Sequence, residues 1–270
     1  MPTPVTHLVM ARVLIESGTL PPPVQSLLKR EWGPFLLGHT APDVQTVSHQ
    51  PRDETHFYTL PPSNTTPAYR RLLRTYPELA RPERLSSDHA AFLAGYLAHL
   101  LVDEQWWREI FHPFFGPQAG WETFERRLFL HNVLRTWMDQ EDQARLDGQE
   151  AQALAKAEPK GWLPFVRDED LRAWRDLLME QLQPGNRVRT AEVFAARMGL
   201  PAEAIEATLR SPLRMAHLFR HVPPARLQTY RAEALRRSAD LIEAYLAPAV
   251  GQHHLKEPQR HRGHREMAKK

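Results

Sequence analysis

The sequence predicts an all-α protein. Apolar residues recur at three- and four-residue intervals in five long segments, the period of an amphipathic helix. Alternating runs long enough for strands are absent. The 24 prolines fall mostly between the periodic segments, in "LPPPV", "TAPD", "TLPPSNTTP" and "HVPPA", where they end helices and fix loops.

Along the chain, "VTHLVMARVLIE" predicts a first helix with His7 on its apolar side. The apolar segment "FLLG" runs into the loop "HTAPD", which ends on Asp43, and "RDETHFYTLP" places His56 thirteen residues later. "AAFLAGYLAHLLVD" is the most apolar helix. Residues Ala90 to Val102 hold no charge, and His99 is their only strongly polar side chain. Phe92, Gly95, Tyr96, His99 and Asp103 share one stripe, because positions three and four apart lie above one another. "WETFERRLFLHNVLRTWMD", "EDLRAWRDLLMEQL" and "ARLQTYRAEALRRSADLIEAYL" predict three further helices. "TAEVFAARMGLPAEAIEATLRS" holds two short helices spaced like a helix-turn-helix. Its second helix opens Ala202-Glu203-Ala204-Ile205-Glu206, and acidic and small residues suit neither phosphates nor base edges.

The expected organisation is one all-helical domain over residues 1–250, with its chemistry-bearing motifs in 1–140 and accessory helices in 141–250. Residues 251–270 read as a disordered, basic, His-rich tail, having almost nothing apolar to bury. That tail has six Lys or Arg against two Glu, a net +4, which leaves about −1 of the chain's +3 for the body. The basic balance therefore describes the tail and not the fold. The chain has no cysteine, so disulfides and thiolate metal sites are excluded. No stretch has the apolar length of a membrane span. The first twenty residues lack a basic leader, and His7, Arg12 and Glu16 interrupt them, so the expected compartment is cytoplasmic.

A histidine and an aspartate inside an apolar stripe cost free energy unless something pairs with them. Two readings stand at His99 and Asp103: a core histidine capped by an acid, or two donors aimed at a common ion. His7, Asp43 and His56 add imidazoles and a carboxylate, the ligand chemistry of zinc or a similar borderline metal. "GHTAPD", "RDETHF" and "AFLAGYLAHLLVDEQWW" together resemble the bacterial zinc-dependent phospholipase C family, whose fold is shared by the secreted zinc-dependent single-strand nucleases. The likeness runs from about His7 to Trp107.

The resemblance implies a helical fold that holds zinc in a cleft and hydrolyses phosphodiesters. It implies that Asp43, His56, His99 and Asp103 bind one ion, and that His7 helps bind another bridged by Asp103. Family members also use the amino group of an N-terminal Trp, whereas this sequence starts Met1-Pro2. For a further ion they use a histidine followed four residues later by an acid, whereas here His131 is followed by Arg135. One zinc is expected, with a second reachable through His7, His112, His131 or Asp139.

The expected activity is that of a zinc-dependent phosphoric ester hydrolase, acting on a phosphodiester or phosphomonoester through a metal-activated water. Asp43 or Asp103 would orient the water while ligating, and Arg52 or Arg135 would meet phosphate charge. A small phosphate ester, a phospholipid headgroup and a nucleic acid all fit this logic. The competing reading is a non-catalytic helical binding protein with a structural or vestigial metal site.

Overall fold

The computed structural model describes residues 1–62, 66–183 and 189–254. Among these residues the protein is helical throughout, with no strand. It is an all-α fold.

The first helix, α1 (Pro4–Glu16), starts with Thr3 as N-cap and Pro4 in the first turn, the position where a missing N–H costs nothing. α2 (Pro22–Arg30) and α3 (Trp32–Gly38) follow. A 3-10 turn (Ala41–Val44) and the short α4 (Gln45–Ser48) and α5 (Arg52–His56) then lay the chain across the mouth of the site. α6 (Ala68–Thr75) leads to the central α7 (Ser87–Trp106). α7 is buried on every side apart from its first turn and Leu101, as expected of a helix with apolar residues all round. It packs chiefly against α3 and α15 (Pro224–His254).

Beyond Trp106 the helix continues through a π turn (Trp107–Phe111) into α8 (His112–Phe115). Ile110 and Phe115 take the buried side there and His112 faces solvent. α9 (Phe124–Gln143) crosses α1, and α10 (Gln149–Leu154) packs on α3. α11 (Asp168–Gln181) packs against α10 and α4. The helix-turn-helix-like stretch forms α12 (Thr190–Arg197) and α13 (Ala202–Leu209), both packed on α9, before α14 (Pro212–His221). The turn between α12 and α13 closes on Gly199 at φ +67°, a backbone conformation that glycine adopts without strain.

Two apolar clusters organise the interior. One gathers Leu8, Phe35, Leu37, Phe92, Leu100 and their neighbours among α1, α2, α3, α7, α11 and the second half of α15. The other gathers Val102, Trp106, Leu134, Phe194 and Tyr230 around the end of α7, α9, α12 and the first half of α15. α7 belongs to both. α15 runs four residues past Val250, where the tail was expected to begin, and residues 255–270 lie outside the described residues. Among the described residues no helix is long and apolar enough to cross a membrane.

Candidate metal centre

Two glycines set the geometry of the site. A Cβ on Gly95 would lie 2.7 Å from the His39 nitrogen and closer still to the Phe35 carbonyl, and one on Gly38 would overlap the Phe92 carbonyl. α3 and α7 therefore cross at backbone contact. That closeness lets the His39 carbonyl accept a hydrogen bond from His99 Nδ1 at 2.9 Å. The bond fixes the ring so that Nε2 points the other way, as a backbone carbonyl does for many metal-binding histidines.

His56 is held by the same logic. Tyr96 on α7 donates to the Thr55 carbonyl at 2.6 Å, and Thr55 donates to Gln45 at 2.8 Å, which pins α5 onto the central helix. His56 Nδ1 lies 3.2 Å from the Arg52 carbonyl, leaving Nε2 free to face the site. Phe57 ends α5 in the left-handed region at φ +59°, unusual for a bulky residue. Its carbonyl accepts from Arg71, and its ring packs edge-on against Phe165 at 5.1 Å.

Around Asp103 the donors converge. Its Oδ1 lies 3.4 Å from His7 Nε2; its Oδ2 lies 3.5 Å from His56 Nε2 and 3.7 Å from His99 Nε2. Asp43 Oδ1 is 3.5 Å from His56 Nε2, and this carboxylate is partly exposed to the cleft. The rings of His7 and His99 stack with centroids 3.8 Å apart. Two triads with ligand atoms within 4.8 Å of one another result, His7–His99–Asp103 and Asp43–His56–His99, sharing His99.

Nε2 of His7, His56 and His99 and Oδ1 of Asp103 are buried without any hydrogen-bond partner. Unpaired buried polar atoms are rare, and four gathered around Asp103 and His99 fit a cation with nitrogen and oxygen ligands. Ligands about 2 Å from an ion stand roughly 3–4 Å from one another, which matches these separations.

The electrostatics suit an ion. Burial, with His99 alongside, lowers His7 to about 4. Burial and the Arg52 charge lower His56 to about 4. Both imidazoles are therefore neutral near pH 7, the form that ligates a metal. Burial also opposes the charged form of His99, but Asp103 outweighs it and raises the pKa. In the same way burial opposes the Asp103 carboxylate, and the surrounding imidazoles hold it well below the usual range. Asp43 is held at about 2 against burial by His56 and His99.

The other candidates fall elsewhere. Arg52 Nη2 donates to Asp103 Oδ2 and to the Tyr58 hydroxyl, each at 2.9 Å, so this arginine is tied to the cluster rather than standing free in the cleft; its Nη1 has no partner. His112 is not brought to the site. It stands exposed beside Trp107, because the buried side of that helix is taken by Ile110 and Phe115. His131 is buried in the cleft wall but joins neither triad; its Nε2 accepts from Trp106 Nε1 at 3.1 Å. Asp139 is held by the hydroxyls of Thr3 and Thr190.

Sequence reasoning missed two participants. Tyr58 reaches Asp103 at 3.4 Å, and its only signal was its place two residues after His56. His39 contributes through its carbonyl, which no side-chain pattern can reveal. Beside the cluster opens a cleft of about 520 Å³, bounded by α1, α9, α11 and α12 and reached by Asp43 and Arg52.

A family model described as zinc dependent phospholipase C matches residues 6–183, which include every residue of the two triads. Searches of curated proteins and of solved structures found no match.

Proposed function

This chain belongs to the zinc-dependent phospholipase C family, and on that premise we propose that it is a zinc-dependent phosphoric ester hydrolase whose metal is held by Asp43, His56, His99, Asp103 and His7. One observation carries the reading: four unpartnered buried ligand atoms, from three helices, gather in two overlapping triads beside an open cleft. Zinc bound there supplies Lewis acidity toward a phosphoryl oxygen and a lowered pKa for its water.

The chain's own residues supply the rest. Asp43, on the cleft side of the cluster, orients the attacking water and accepts a hydrogen bond from it. Asp103, charged and clamped by Arg52 and Tyr58, fixes the positions of three imidazoles at once. Arg52 Nη1 meets a phosphate oxygen. Trp107, Phe111, Leu128 and Trp174 give the cleft an apolar side suited to an ester with a hydrocarbon part, such as a phospholipid.

The competing reading, a non-catalytic protein with a structural metal, is favoured by one observation. Of the donors suggested for a further ion, His112 stands exposed, His131 Nε2 accepts from Trp106 and Asp139 is held by two threonines. Hydrolysis of bis(4-nitrophenyl) phosphate by the zinc-loaded full chain separates the two. Turnover that stops with a chelator, returns with zinc and disappears in His99→Ala is expected. Tightly bound zinc with no turnover under any added divalent ion would establish the binding protein.

A further inference from the structure

The cleft has a second charged end, away from the metal-binding cluster. Arg135 on α9 lies in the wall with its guanidinium 3.9 Å from the centre of the Phe194 ring. Nη1 donates to the Met1 carbonyl at 3.0 Å, Nη2 donates to Asn132, and Nε is buried with no partner. Among the described residues no carboxylate forms an ion pair with Arg135 or with Arg197, which lines the same cleft three positions after Phe194 on α12. Arg189, at the start of α12, faces the cleft too and leans on Glu180 at 3.7 Å.

This end is short of counter-charge. Asp139 lines the cleft at Arg135, and burial raises that carboxyl to about 7, so it is largely uncharged below neutrality. Asp43 and Arg52, the remaining charged groups of the cleft, are engaged in the cluster. Burial lowers Arg135 to about 10, with Arg197 contributing, and it stays cationic at pH 7. Two unpaired guanidiniums facing one cleft repel each other, and an anion between them relieves that repulsion. Guanidinium forks match phosphate and carboxylate oxygens in particular.

The spacing to the cluster can be followed through one residue. Met1 accepts from Arg135 at its carbonyl, while its sulfur takes the Tyr58 hydroxyl at 3.3 Å, and that hydroxyl also reaches Asp103. Arg197, on α12, lies beyond residue 183, where the family match ends, whereas Arg135 lies within it.

We propose that Arg135 and Arg197 form a second anion subsite one residue's span from the metal-binding cluster. The substrate it selects carries a further phosphate or carboxylate beyond the phosphoester at the cluster, in preference to a cationic headgroup. The identity of the ester rests on the proposed function; the anion subsite does not.

Calorimetric titration of the full chain, zinc-loaded and metal-free, tests this with three soluble probes. Glycerol 1,3-bisphosphate carries two phosphates, 3-phosphoglycerate a phosphate and a carboxylate, and glycerophosphocholine a phosphodiester and a cation. The zinc-loaded protein is expected to bind the first two about tenfold more tightly than the third. Arg197→Gln should weaken the first two about fivefold, a magnitude suited to one exposed charge-assisted contact, and leave glycerophosphocholine unchanged. Arg135→Gln should weaken them further. Because Arg135 also holds Met1 and Asn132, the exposed Arg197 is the deciding variant.

Whichever of these two probes binds more tightly identifies phosphate or carboxylate as the second group. Equal losses for all three probes, or no loss in Arg197→Gln, would overturn the subsite. A chain that binds no zinc would instead remove the proposed function, while the Arg197 effect in the metal-free protein would still report on the subsite.

Discussion

Asp103 and Asp139 are both buried, both lie on long helices, and their acidities move in opposite directions. Asp103 stays charged because three imidazoles and Arg52 surround it, although burial alone would push it the other way. Asp139 has only hydroxyl partners at contact, and burial raises it to about 7. The difference teaches that burial by itself makes a neutral acid, whereas convergent cationic or metal-ready partners make a charged one. The first arrangement suits an ion. The second suits a structural latch between α9, the start of α1 and α12.

The largest effect should come from breaking the first arrangement. Asp103→Asn removes one charge from the point where three imidazoles meet, and zinc affinity measured by competition with a chromophoric chelator should fall by at least ~100-fold. Asp139→Asn should leave it unchanged. A comparable loss in both variants would dissolve the distinction.

Next in size is the split between site and core on α7. Leu100→Ala should cost about 2–5 kcal/mol in denaturant unfolding, because it truncates a fully buried side chain. His99→Ala, one position away, should abolish zinc binding and leave the metal-free helix content largely intact. Equal unfolding of both variants would make His99 ordinary core.

The acid at Asp139 gives a pH signature. A carboxyl whose pKa is raised on folding favours the folded state at low pH. Its contribution is complete below the ordinary carboxylate value near 4 and is lost as pH rises to about 7. A shift of this size corresponds to roughly 4 kcal/mol at most, and a smaller loss of about 2 kcal/mol would fit the same sign. His7 and His56, lowered to about 4, favour folding as pH rises over the same interval, so urea unfolding should show the Asp139 loss between pH 4 and 7 as the difference between the wild type and Asp139→Asn. A wild type that gains stability over that interval relative to Asp139→Asn would reverse the assignment.

A smaller effect is expected at the support of Asp103. Tyr58→Phe deletes the hydroxyl that reaches Asp103 and accepts from Arg52. Zinc affinity should drop about 10-fold, the low end for an outer hydrogen-bond partner. No change at all would mean that Arg52 alone positions the carboxylate.

Much of the fold was legible because helices announce themselves by period: the five long apolar segments all fall on helices, and prolines open α1 and α15, although Pro248 lies inside α15 rather than ending it. The four-residue spacing of His99 and Asp103 put both on one stripe, and both lie in the cluster. His131 carried a similar signal on a similar helix, yet its Nε2 is taken by Trp106, from a helix 25 residues earlier in the chain. Spacing along one helix says which side chains share a face and is silent on what stands opposite. The backbone carbonyl of His39, the close crossing at Gly38 and Gly95, and the α12 wall all depend on distant parts of the chain, and none leaves a local pattern.

The central claim is that Asp43, His56, His99, Asp103 and His7 hold one metal centre. Crystals of the full chain grown with stoichiometric zinc, with diffraction measured on both sides of the zinc absorption edge, test it most directly. The account predicts an anomalous peak about 2 Å from the Nε2 atoms of His56 and His99 and from an Asp103 oxygen, with any second peak near His7 bridged by Asp103. A zinc peak elsewhere with none at this cluster, for instance at the half-buried His217 and the exposed His221, would contradict it.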